Sequence, residues 1–215
     1  MNVVIAQHKG GVGKTTLATH ISGILSERDL DKCLLVDCDS QGDSFRFYTG
    51  RSPNKEMEIV TGNSNVDVLW NPSRNGLSTK ASYSEYDHVI VDIDTRIQNA
   101  LQVIMEISPD VIIIPVDSQY LSLRHLEEVL SLISKIEGRF SYPALVKVVQ
   151  MGSNYDIDRA IDKFQCIPDN LYTNYSLPYL RDEFDNAMRM CNFIWNIYEE
   201  HCSIKEILEE IVSDD

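Results

Sequence analysis

The run Lys9-Gly10-Gly11-Val12-Gly13-Lys14-Thr15-Thr16 has the residue types and spacing to hold phosphate. Its glycines let successive backbone N–H groups turn inward around anionic oxygens, and a helix starting at its end adds the positive end of a dipole. Lys14 supplies a point charge to the β- and γ-phosphates of a nucleotide, and Thr15 offers a hydroxyl to Mg²⁺. The strict pattern G-x-x-x-x-G-K-T is not met, because His8 stands where its first glycine would be. In exchange a second lysine, Lys9, lies inside the loop, while His8 reads as a spectator. A solvated Gly/Lys surface loop is the bland alternative; the apolar strand before the run and the helix after it count against that.

Carboxylates end two apolar segments. Leu34-Leu35-Val36 runs into Asp37 and Asp39, and Val89-Ile90-Val91 runs into Asp92, with Asp94 close behind. A carboxylate at such a strand end can hold a Mg²⁺-bound water. Either Asp92 or Asp94 serves this purpose, and strand register favours Asp92. Asp37 and Asp39 have a second reading as a helix-capping turn. An aspartate in water titrates near ~4 and is a poor base at neutral pH, so aligning a water suits Asp39 better than taking its proton.

These groups must be held by a β-α-β-α frame. Apolar strands are expected at Asn2–Ala6, Cys33–Val36, His88–Val91, Val111–Pro115 and Ala144–Gln150. Between them lie helical stripes: Leu17, Ala18, Ile21, Ile24 and Leu25; then Ile97, Leu101, Ile104 and Met105; then the long segment Leu121 to Ile136. Such alternation predicts an α/β fold, a mostly parallel central sheet with helices on both faces. Residues 50–86 read as loops around a short edge strand near Met57–Val60, and 166–182 as loop beside the sheet edge. Phe193 to Val212 reads as helix with Ile194, Ile197, Ile204, Ile207, Leu208 and Ile211 on one face. With 215 residues and no linker, repeat or low-complexity run, the whole of 1–215 is expected to be one domain.

Residues 9–16 resemble the deviant Walker A motif, K-G-G-x-G-K-[ST]-T, of the ParA/MinD family of P-loop ATPases. The resemblance implies a P-loop NTPase fold, with ATP and Mg²⁺ as ligands. It also implies that Lys9 reaches across a dimer interface to the partner's nucleotide, alongside Lys14 in cis. Leu34 to Gly42 is similar to the family's strand-two motif, with Ser40 for the usual proline; there Asp39 orients the attacking water and Asp37 supports the metal's water shell beside Thr15 and Asp92. Val89 to Asp92 looks like the Walker B strand, although Asp92-Ile93-Asp94-Thr95-Arg96 departs from the common D-T-P-P and places Arg96 in switch II, where an ordinary surface role is favoured. Val111 to Val116 followed by Ser122-Leu123-Arg124 matches a further family stretch. Met151, Asn154 and Pro178 are candidates for the adenine pocket. By this resemblance the chain is an ATPase acting as a timed switch, a homodimer in the ATP state.

Charge and composition narrow the partners. Thirty-three acidic against nineteen basic residues leave a net charge of −14, and 43% hydrophobic residues exclude general disorder. Five scattered cysteines without a C-x-x-C pair, and no basic leader, point to a cytoplasmic chain with reduced thiols. MinD-type relatives bind membranes through a basic C-terminal helix; here the tail's polar side is acidic, so no membrane contact is expected. A chain opening on the P-loop strand resembles the small ParA class, with a ParB-like or adaptor protein as partner. Non-specific DNA binding, and with it nucleoid association, is left open: Lys135, Arg139, Lys147, Arg159 and Lys163 are scattered candidates, set against doubled acidity in a dimer. The alternative readings are a nucleotide-gated scaffold without significant hydrolysis and a P-loop metabolic ligase, which would not require Lys9.

Overall fold

The fold comes from a computed structural model that describes residues 1–28, 31–77, 83–93, 96–140, 142–152 and 155–213. Eight strands, β1 (Asn2–Ile5), β2 (Cys33–Asp37), β3 (Ile59–Thr61), β4 (Val66–Trp70), β5 (His88–Asp92), β6 (Val111–Val116), β7 (Leu145–Met151) and β8 (Leu171–Leu177), form one sheet. Their order is β3-β4-β2-β5-β1-β6-β7-β8. Every neighbouring pair is parallel except β3 with β4. The expected α/β architecture is therefore the observed one.

The α-helices among the described residues include α1 (Lys14–Glu27), α2 (Asp43–Thr49), α3 (Ile97–Ile107), α4 (Tyr120–Ile136), α5 (Ile157–Ile161), α6 (Arg181–Arg189), α7 (Ile194–Ile197) and α8 (Cys202–Ile211). Side chains alternate along a strand, so β1 feeds both layers. Val3 and Ile5 join the core under α1, α2, α6, α7 and α8, whereas Val4 and Ala6 join the one under α3, α4 and α5. Strands buried on both faces read as the continuous apolar runs seen in the sequence.

Four expectations need correction. The segment 66–70, read as loop, is β4, which lies between the edge strand β3 and β2. The segment 166–182, also read as loop, contains β8, the opposite edge strand. The buried stripe of α3 is Ala100, Val103, Ile104 and Ile107; Met105, assigned to that stripe, is 45% exposed. The tail is not one helix, for Tyr198 adopts an extended backbone (φ −125°, ψ 102°) between α7 and a short 3₁₀ turn that leads into α8. Its apolar face is docked as expected, with Ile204, Leu208 and Ile211 inside the core and Lys205 reaching Glu27 of α1 at 2.6 Å. No described helix is long and apolar enough to cross a membrane.

Candidate active site

β1 lies where the strand order reverses, with β5 on one side and β6 on the other, and the site opens at the carboxyl ends of these strands. Gln7 ends the strand by donating Nε2–H to the Pro115 carbonyl at 3.2 Å and accepting the His8 N–H at 2.8 Å. The loop then turns through Gly11 (φ 70°) and Gly13 (φ 99°), left-handed conformations in which a side chain would be strained. Gly13 also faces Met151, whose Cε would lie 2.7 Å from an added Cβ.

Gly13 is the N-cap of α1, and no side chain caps that helix. Its first-turn N–H groups have no intrahelical partner, and no acidic residue occupies the turn. An uncapped helix N-terminus of this kind favours negative charge. It lines a cleft of about 990 Å³, within the size range of a small-molecule pocket. Gly10, Gly11, Val12, Gly13, Lys14, Thr15, Thr16 and Asp39 all contribute to it.

The carboxylates divide their roles. Asp37 and Asp92 face each other across β2 and β5, both fully buried. Both oxygens of Asp37 are engaged, accepting N–H bonds from Asp39 at 3.0 Å and Phe45 at 2.9 Å. Gly42, the N-cap of α2, has no side chain to satisfy the Phe45 N–H, so Asp37 does this from a distance. Burial and the neighbouring Asp92 hold its carboxyl well above the usual range. Asp92 accepts the Ser44 hydroxyl at 2.5 Å on one oxygen, while its other oxygen is buried without a hydrogen bond. Burial pushes its carboxyl up to about 6, opposed by the nearby Ser44, Thr15 and Lys14.

The structure thus brings Thr15 and Lys14 to Asp92, and an unsatisfied buried carboxylate oxygen beside a hydroxyl and a phosphate cradle fits a divalent cation with oxygen ligands. Asp94 lies outside the described residues. Asp39 accepts the Gln41 N–H at 2.9 Å, and its carbonyl accepts the Trp70 indole N–H at 2.9 Å, which fixes the loop carrying it.

Lys9 is held within its own chain. Its ammonium donates to the Asp117 carboxylate and, at 2.8 Å, to the Gln119 side chain, leaving it 16% exposed. Lys14 donates to the Lys9 carbonyl at 3.1 Å. Asp117 and Gln119 were missed in the sequence, although Asp117 follows an apolar strand just as Asp37 and Asp92 do. Of the three candidates for the adenine pocket, Met151 and Pro178 line the cleft, while Asn154 lies outside the described residues. Tyr179, Phe184 and Met188 extend that apolar wall, and Arg46, Arg181 and Arg189 add positive charge that the sequence did not reveal. Arg96 is exposed at the head of α3 and does not line the cleft. Lys147, offered as a DNA contact, is wholly buried: it donates to the Ser213 carbonyl at 2.6 Å and lies 5.2 Å from the Tyr175 ring centroid.

Known proteins share this fold. The model of the CobQ/CobB/MinD/ParA nucleotide binding domain matches residues 3–212. Maintenance of carboxysome distribution protein A of Halothiobacillus neapolitanus is 30% identical over 115 residues, 53% of this chain and about half (49%) of that protein. Apo McdA of Cyanothece superimposes with a TM-score of 0.77 at 17% identity, covering 99% of each chain. A ParA family ATPase from Chlorobium tepidum gives 0.77 at 16% identity over 100% of this chain and 98% of its own. MinD complexed with Mg-ADP from Pyrococcus horikoshii gives 0.75 at 16% identity, over 99% and 96%.

Proposed function

The chain belongs to the CobQ/CobB/MinD/ParA nucleotide-binding family, and on that premise we propose that it is a single-domain ParA-type ATPase whose ATP state is a homodimer that hydrolysis to ADP and phosphate dissolves. The observation that carries this reading is the placement of Lys9. A lysine that the strict phosphate-loop pattern does not require is stored at the cleft on Asp117 and Gln119. Exchange of those partners for the phosphates of a second subunit's nucleotide links ligand to assembly, because dense negative charge at an interface rewards a cation from across it.

Within one subunit, the N–H groups of Gly10 to Thr16 bind the phosphates and Lys14 neutralises charge that builds during cleavage. Asp39 aligns the attacking water, and Thr15 and Asp92 are the residues that would hold Mg²⁺, with Asp37 fixing the loop behind them. A Mg²⁺ ion held there would supply further charge stabilisation for phosphoryl transfer. Met151, Pro178, Tyr179 and Phe184 offer an apolar wall for the base.

The likeness to a carboxysome-distribution protein supports a protein assembly or its adaptor as cargo. For DNA, the four exposed candidates Lys135, Arg139, Arg159 and Lys163 stand among Glu137, Asp156, Asp158 and Asp162, which favours a protein partner. The test is phosphate release from Mg-ATP by the intact protein and by Lys9→Ala and Asp39→Ala variants. Each substitution is expected to lower turnover on the order of tenfold to a hundredfold. A ligase tolerates the loss of Lys9, and a scaffold shows no turnover to lose.

A further inference from the structure

His8 does not line the cleft, and its surroundings have a chemistry of their own. Its ring lies against His125 of α4, with centroids 4.6 Å apart and planes tilted by 39°. His8 Nδ1 is 3.6 Å from a carboxylate oxygen of Glu128, and both side chains are partly exposed. His125 and Glu128, three apart on α4, share one face of the helix. One donor atom from each of the three residues lies within 4.8 Å of the others. The Nδ1 atoms of His8 and His125 are both buried with no hydrogen-bond partner. Two buried ring nitrogens left without partners beside a carboxylate are unfavourable unless something else satisfies them.

We propose that His8, His125 and Glu128 form a binding site for a divalent transition-metal ion of the zinc class, with water completing its shell. Zinc takes imidazole and carboxylate ligands at about 2.0–2.2 Å, which puts the corners of a tetrahedron roughly 3.4 Å apart. The His8–Glu128 separation of 3.6 Å is already close to that, and the donor atoms of all three residues lie within 4.8 Å of one another. The nearby cations are paired with carboxylates: Arg124 lies 3.7 Å from the other oxygen of Glu128, and Lys9 is bonded to Asp117. Two nitrogen ligands select against Mg²⁺, which prefers oxygen, so this site does not compete for the metal of the cleft. Occupancy ties the residue preceding Lys9 to α4, the helix that starts just beyond Gln119.

The test is titration of metal-stripped, nucleotide-free protein with Co²⁺, followed by absorption and displacement with Zn²⁺. One equivalent per chain is expected to give visible ligand-field bands of a low-coordinate site, without a thiolate charge-transfer band, and one equivalent of Zn²⁺ should remove them. His125→Ala should abolish the bands, and the near-isosteric Glu128→Gln should weaken binding about tenfold to a hundredfold. Absence of bands, bands that persist in both variants, or a thiolate band assigning the ion to the exposed Cys166 or Cys202 would overturn the proposal. Because no nucleotide is present, its failure leaves the ATPase reading intact.

Discussion

Replacing Asp92 with asparagine is expected to stabilise the nucleotide-free protein and to remove its Mg²⁺-dependent turnover. Burial lifts the Asp92 carboxyl from an ordinary 3.8 to about 6, even with Ser44, Thr15 and Lys14 opposing the shift. Between those values the folded chain holds a proton that the unfolded chain has released. The contribution of this carboxyl to stability is therefore most favourable below pH ~4, declines as pH rises, and carries its full penalty above pH ~6. A shift of about two units corresponds to about 3 kcal/mol at pH 7. Asparagine keeps the shape and an oxygen for the Ser44 hydroxyl, now 2.5 Å away, but carries no charge to bury.

Urea unfolding in Mg²⁺-free buffer should show Asp92→Asn more stable by about 2–3 kcal/mol at pH 7. The gain should shrink to about 1 kcal/mol near pH 4.5, with an unchanged m-value. A gain that is the same at both pH values, or a loss at pH 7, would refute the assignment of the penalty to the buried charge. Retained Mg²⁺-dependent turnover would remove Asp92 from the metal site.

Two further outcomes are expected. Burial lowers the His20 imidazole to about 4 despite its bond to the Thr16 carbonyl, so its NMR signals should titrate near pH 4 and its contribution to stability should fall as pH drops below 6.5; a midpoint near 6.5 would contradict its burial among Phe47, Phe184, Phe193 and Trp195. Gly13→Ala should cost about 1–3 kcal/mol and weaken nucleotide binding more than Gly11→Ala, since both share a left-handed backbone but only Gly13 meets a neighbour, Met151; equal effects in thermal melts and nucleotide titrations would contradict that packing.

The central strands were legible because each is buried on both faces and reads as an unbroken apolar run. The edges were not. β4 reads Val-Asp-Val-Leu-Trp between Asn-rich and Pro-containing segments, and β8 reads Leu-Tyr-Thr-Asn-Tyr-Ser-Leu between Pro168 and Pro178. An edge or near-edge strand buries only part of its surface, so polar alternation there resembles loop. Lys147 was misread for the opposite reason: a charge in an apolar strand suggests exposure, but Ser213 and Tyr175 cover it in the fold. At the site, the phosphate loop announced itself through local spacing. The partners of Lys9, more than a hundred residues away in Asp117 and Gln119, and the cleft wall from α6 depend on tertiary placement that no local pattern encodes. Asp37 illustrates the middle case, since the capping reading matches its observed bonds to Asp39 and Phe45 while the proposed support of the metal region rests on its place beside Asp92.

The most direct measurement is the molar mass of the intact protein by size exclusion with light scattering, in the apo, ADP and ATP states, for the wild type and Lys9→Ala. A monomer of 24.5 kDa that doubles its mass only with ATP, and a variant that stays monomeric under saturating ATP, are the predicted results. A wild-type mass that does not respond to ATP, or a Lys9→Ala protein that dimerises as well as the wild type, would contradict the account.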